Sequence, residues 1–279
     1  MKDKIIYIIK GFFFGIANII PGVSGGTLAL TMGIYEDLIG SISNFFKDPK
    51  KSIKFLLPIG IGAVLSILLM SKVISYSLDK FPVPTTLFFI GLIIGGIPLL
   101  TKKVKNEKVK PWNIGLFLLT FGIIMLMTFS SAGGTNLDLT NVGLLGIVKL
   151  LLIGMIAAGT MVIPGISGSF VLMLLGAYEP IINIIGDLTN FSNLGHNLIV
   201  LVPFGIGVVV GIIGIAKILE FLFKKYEVPT YYAILGFIIA SIIALFTGLA
   251  GYKVSSIEVI IGIVLLVLGM TIGYKLGDE

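Results

Sequence analysis

Apolar residues in this chain are gathered into long blocks, and polar residues into a few short intervals between them. Six uninterrupted blocks fall at about 54–78, 85–101, 112–130, 197–222, 230–249 and 257–274. Each is close to the roughly 20 residues that cross a bilayer as a helix. Their runs are continuous and do not alternate, which suits helices and not the strands of an outer-membrane barrel. Two further blocks, 4–46 and 144–186, are each broken near the middle by a proline and a cluster of small residues. The first break reads IIPGVSGGT, from Ile19 to Thr27.

The breaks belong to a repeat. Ile20 to Glu36 reads IPGVSGGTLALTMGIYE and Ile163 to Glu179 reads IPGISGSFVLMLLGAYE, with eight of seventeen positions identical at an offset of 143. Similarity continues at an offset of 145: Pro58, Gly60 and Gly62 match Pro203, Gly205 and Gly207, Lys72 matches Lys217, and Val83-Pro84-Thr85 matches Val228-Pro229-Thr230. The chain therefore divides into two related halves, 1–143 and 144–279. Each is predicted to hold a broken hairpin (4–46; 144–186) and three transmembrane helices.

Composition agrees with a polytopic membrane protein. Hydrophobic residues make up 56% of the 279 positions and charged residues 12%, with a mean hydropathy of +1.10. Soluble domains carry about 25% charged residues. The apolar N-terminal stretch runs into further apolar segments without a signal-peptide cleavage pattern. Cys is absent, which removes disulfides and thiolate metal sites, and no metal or cofactor is expected. All 20 basic residues are lysines, so the net charge of +6 is read through their placement around the membrane and not as a nucleic-acid signal.

That placement bears on the broken hairpins. Segment 47–54 carries four lysines and 102–110 carries five, whereas 131–143 and 186–197 carry none. If each broken segment is re-entrant, both termini, 47–54, 102–110 and 223–228 fall on the cytoplasmic side, and 131–143 and 186–197 fall outside. This obeys the positive-inside bias at every well-charged loop. A crossing at the break would put 47–54 and 102–110 on opposite sides. Each half then crosses three times, an odd number, so the halves are expected to be inverted relative to each other, with a site between them at the midplane.

Pro21 lacks an N–H and disfavours helix at the residue before it, and Gly22 takes backbone angles closed to other residues. Ser24 or Thr27 is placed to cap the half-helix that follows. Gly25 and Gly26 leave its backbone uncovered. The expected product is a helix N-terminus inside the membrane, with donors suited to an anion, phosphate above all. Pro164, Gly165, Ser167, Gly168 and Ser169 repeat the arrangement. Small residues also serve tight helix packing in membranes, which is the alternative use of the same motif.

Other positions are candidates for coupling or charge. Glu36 and Glu179 close the motifs at matched positions, either as intramembrane acids or as interfacial residues beside belt tyrosines Tyr35 and Tyr178. Lys72 and Lys217 lie in apolar segments, either to escort a phosphate or to snorkel to a headgroup. Asn18 and Thr160 precede the breaks, placed to bond a ligand or the frayed backbone. His196 is expected in an external loop, and the 102–110 run reads as a topology signal that also touches anionic lipid.

PGVSGG…GIYE and PGISGS…GAYE, in halves of about 140 residues, resemble the PopT family of bacterial and archaeal membrane proteins, long treated as a domain of unknown function and linked to polyprenyl-phosphate translocation. The resemblance covers nearly the whole chain. It implies a transporter that returns undecaprenyl phosphate, or a related polyprenyl phosphate, from the outer to the cytoplasmic leaflet of the plasma membrane for reuse in cell-wall synthesis. The family's motif residues correspond to Pro21, Gly22, Ser24, Gly25, Gly26, Gly33, Tyr35 and Glu36, and to Pro164, Gly165, Ser167, Gly168, Gly176, Tyr178 and Glu179. Where the family pattern often has an acid before the first motif, this chain has Asn18, a departure that bears on any coupling role there.

A transporter of this kind has the lipid and the bilayer as partners; a homo-oligomer stays open. There is no P-loop, so ATP is not expected to drive it directly. A transporter or channel for a small soluble anion fits the same features. Gly22-Val23-Ser24-Gly25 and Gly165-Ile166-Ser167-Gly168 also look like the GxSG of rhomboid proteases, but that chemistry needs a base, and His196 is single and unduplicated.

Overall fold

The computed structural model describes residues 2–19, 24–105, 107–129, 139, 142–166, 168–186 and 194–278. All regular structure among them is helical. The order is α1 (Lys2–Ile19), α2 (Gly25–Thr31), α3 (Tyr35–Ser43), α4 (Pro49–Lys80), α5 (Pro82–Val104), α6 (Pro111–Phe129), α7 (Leu144–Val162), α8 (Gly168–Leu174), α9 (Tyr178–Gly186), α10 (Leu194–Lys225), α11 (Glu227–Gly248) and α12 (Ser256–Asp278). Seven of these helices are long and apolar enough to cross a membrane, α7 among them. The protein is an all-α, multi-pass membrane protein.

α4 extends past its apolar block because a polar cap lies outside it. α4 begins at Pro49, where the Asp48 carboxylate accepts the Lys51 N–H at 3.1 Å and proline occupies the first turn. α4 and α10 each have 32 residues. At 1.5 Å per residue that is about 48 Å, more than the hydrocarbon thickness, so both must tilt or project beyond it. His196 lies in the first turn of α10, not in a loop.

The second arm of each broken hairpin (25–46; 168–186) is two helices and not one. Gly33 has φ of 70° and Gly176 has φ of 65°. At the first, the Ile34 N–H bonds the Ala29 carbonyl at 3.0 Å and the Gly33 N–H bonds Leu30 at 3.1 Å. At the second, the Ala177 N–H bonds Leu172 at 2.9 Å and the Gly176 N–H bonds Met173 at 3.0 Å. This is the Schellman ending, which needs a left-handed residue at the turn and so favours glycine.

Packing follows the sequence repeat. α1 packs on α4 as α7 packs on α10, and α5 packs on α12 as α11 packs on α6. The seams are lined with small residues. A side chain at Gly62 would strike the Ile8 carbonyl, and one at Gly207 the Leu151 carbonyl. Gly91 and Gly95 of α5 lie against the α12 backbone at Leu266 and Met270, and Gly269 and Gly273 return the contact at Phe88 and Leu92. Close backbone approach of this kind is how helices associate where lipid supplies no hydrophobic drive.

The core centres on α2. All seven of its residues are buried, among α1, α5, α7 and α12. The outer faces of α4, α6, α10 and α12 expose large apolar residues such as Leu68, Leu126, Ile206 and Ile260, as a lipid-facing surface requires.

Candidate functional site

Pro21, Gly22 and Ser167 lie outside the described residues; for Ser169 the backbone alone is described. Gly26 and Thr27 of the first motif meet the turn at 162–165 inside the bundle. Thr27 is 1% exposed, and its Oγ1 accepts the Gly165 N–H at 2.7 Å. Gly165 has φ of 84°, and its carbonyl accepts the Ser241 hydroxyl at 3.0 Å. The second turn is thereby held by a hydrogen bond from each face. Gly26 lies so close to the same turn that an added Cβ would be 3.0 Å from the Val162 carbonyl oxygen. The Tyr35 hydroxyl donates to that carbonyl at 2.7 Å.

Ser24 occupies the N-cap position of α2 with extended angles, but its side chain does not cap. Its residue is 6% exposed, and its hydroxyl has no hydrogen-bond partner among the described residues. The capping expected from Ser24 or Thr27 is therefore not made: the Thr27 hydroxyl serves the other motif. An unpartnered buried hydroxyl costs about 1–3 kcal/mol. The first amides of α2 have no intrahelical acceptor, as at any helix N-terminus.

Asn18 is exposed and donates to the Phe14 carbonyl at 2.8 Å. Its amide lies over Gly25, where an added Cβ would be 2.6 Å from Nδ2. Thr160 donates to Ala157 within its own helix at 2.7 Å. Gly168 is buried against Met161 and the Ala157 carbonyl. Pro164 is buried.

Lys72 and Lys217 both lie exposed on the outer surface. Among the described residues the buried lysine is instead Lys10 of α1, 4% exposed, whose ammonium donates to the Met32 carbonyl at 2.9 Å, at the negative end of α2. Its only signal in the sequence is a cation within an apolar helix. Tyr35 is not a belt residue: it is 2% exposed.

Glu36 and Glu179, matched in sequence, differ in setting. Glu36 lies 3.3 Å from the Lys103 ammonium and accepts the Tyr231 hydroxyl. The Lys103 ammonium is also 5.8 Å from the Tyr231 ring centroid. This group joins α3, α5 and α11 beside a cavity of about 260 Å³. Phe223 stacks edge-on between Tyr35 and Tyr231 along its lining. Lys103 was hidden in the sequence among neighbouring lysines of the 102–110 run. Glu179 is exposed on α9. A second cavity, of about 420 Å³, is almost wholly apolar and runs between α6, α10 and α11, from Trp112 and Tyr226 to Ile163 and Pro164 at the break.

Residues 14–258 match the family described as undecaprenyl phosphate translocase-like (VCA0040-like). The chain belongs to this family. It is 34% identical over 282 residues to a protein of Staphylococcus aureus named polyprenyl-phosphate transporter, covering 98% of this chain and 96% of that protein. A Vibrio cholerae protein of the same name is 30% identical over 250 residues, covering 84% of this chain and 75% of that one. No solved structure matches the chain. Membership agrees with the resemblance carried by the doubled PG-S-G motif.

Proposed function

We propose that this protein transports a polyprenyl phosphate, undecaprenyl phosphate or a close relative, and returns it from the outer to the cytoplasmic leaflet of the plasma membrane. The observation that carries the reading is the contact between the two motifs, Thr27 Oγ1 to the Gly165 N–H, together with a buried Ser24 hydroxyl that has no partner among the described residues. The phosphate is held by amides and hydroxyls of 24–27 and 167–169, with the α2 and α8 ends supplying donors where no Arg exists. The apolar cavity that ends at Pro164 gives the first isoprene units a path alongside the break. Re-entrant hairpins, two inverted repeats and cytoplasmic termini complete the reading and rest on the lysine distribution. Glu36 is the acid placed for coupling; Glu179 is its sequence counterpart.

The test is a leaflet-resolved translocation assay in proteoliposomes with a fluorescent prenyl phosphate. The expected result is protein-dependent transfer that excess prenyl phosphate competes and inorganic phosphate does not. Transfer of inorganic phosphate instead would replace this reading by that of a small-anion transporter.

A further inference from the structure

Lys103, Glu36 and Tyr231 form an ion-paired cluster at the end of the first motif, apart from the residues 24–27 and 167–169 that hold the phosphate in the proposed site. Among the described residues Lys103 is the only lysine on the wall of the 260 Å³ cavity, which two acids, Glu36 and Asp37, also line. Its ammonium is paired with Glu36 at 3.3 Å, and the same carboxylate oxygen accepts the Tyr231 hydroxyl. A lysine ammonium and a phenol converging on one carboxylate oxygen make a donor set that a phosphate monoester oxygen fits equally well. The carboxylate and a phosphate therefore compete for the same donors. About half of each side chain of the pair is exposed, so the rim is open to an arriving ligand.

The cavity also adjoins the motif junction. Tyr35 lines it, while the Tyr35 hydroxyl bonds the Val162 carbonyl beside the second break. Tyr35, Phe223 and Tyr231 stack edge-on, with centroids 6.0 and 5.5 Å apart, as a single aromatic layer between junction and cavity. The cluster is one-sided. At the repeat offset of 145, Lys103 corresponds to Gly248 and Tyr231 to Thr86, neither of which can supply the charge or the phenol.

We infer that this cavity is an exit site for the phosphate monoester group, in which Lys103 and Tyr231 receive the phosphate and Glu36 is its built-in competitor. The phosphate displaces the Glu36 carboxylate from Lys103, and return of that carboxylate expels it. No covalent bond changes. The site lies on the side of the 102–110 segment, so a one-sided competitor gives a duplicated fold a direction of release. The inference rests on the transport reading.

Equilibrium binding of farnesyl phosphate to the purified full-length protein, with farnesol and inorganic phosphate as comparison ligands, tests it. Lys103→Gln is expected to weaken farnesyl phosphate binding about tenfold, the order of one lost charge-assisted contact, and to leave farnesol binding unchanged. Tyr231→Phe is expected to weaken it several-fold. Glu36→Gln is expected to tighten it several-fold while slowing translocation, because the competitor is gone. A pair that merely latches helices would shift binding the same way in Glu36→Gln and Lys103→Gln, with matching losses in melting temperature, and that result overturns the exit site. Should Glu36→Gln fail to fold, Lys103→Gln and Tyr231→Phe decide alone: wild-type binding in both overturns it. Binding of inorganic phosphate as tight as farnesyl phosphate overturns the lipid as the source of the phosphate. If wild type binds no farnesyl phosphate, the transport reading itself falls. If Gly26→Leu loses binding while the three cavity variants keep it, that reading stands and the exit site does not.

Discussion

Thr27 and Gly165 stand 138 positions apart and share a 2.7 Å hydrogen bond in the interior of the bundle. The bond joins the start of α2 to the turn after α7. Thr27→Val removes the acceptor and leaves a part-buried N–H unpaired. A loss of about 1–3 kcal/mol is expected, read as a lower melting temperature in detergent. Thr27→Ser keeps the oxygen and should melt close to wild type. Equal melting of wild type and Thr27→Val would show that the contact does not hold the motifs together.

Ser24→Ala removes a hydroxyl that has no partner in the described protein. Stability without substrate is expected to stay level or rise by about 1 kcal/mol. Prenyl-phosphate binding is expected to fall several-fold, since main-chain donors remain. Complete loss of activity with binding intact would instead point to a nucleophilic serine.

Gly25→Leu and Gly168→Leu are expected to abolish transport. The added side chains meet the Asn18 amide in the first case and Met161 with the Ala157 carbonyl in the second. Membrane insertion and melting temperature separate a blocked site from a misfolded bundle. Normal transport in both variants would make the motifs packing devices.

Single cysteines in this Cys-free chain report sidedness with an impermeant label. Position 50 is expected to be protected from outside and position 196 to be labelled from outside. Labelling of position 50 from outside would remove the re-entrant hairpins.

The six long apolar blocks and the break at Pro164 were legible because hydrocarbon imposes a length, and a proline followed by a glycine in the left-handed region interrupts a helix locally. The split at Gly33 and Gly176 has a signal in the sequence: glycine at matched positions, followed by an apolar residue, is the Schellman signature. The partners of Thr27, Lys10 and Lys103 were not legible, because they lie 138, 22 and 67 positions away and depend on how helices are brought together. Lys72 and Lys217 stand out in the sequence as cations within apolar blocks. Nothing in a single helix says that its lysine faces outward, and both do.

The glycine-lined seams have a mechanical consequence. α5 of the first half is fitted backbone-to-backbone against α12 of the second, and α11 of the second half packs on α6 of the first. Such seams resist sliding, because any axial shift drives a carbonyl into a glycine's space. A transport cycle that keeps these seams intact moves bodies built from both halves of the chain, and the line along which the molecule flexes then differs from the boundary of the sequence repeat. Two separately expressed halves, cut between 130 and 143, would each lack the partners of two helices. They are expected to be degraded alone and to recover melting behaviour only when made together.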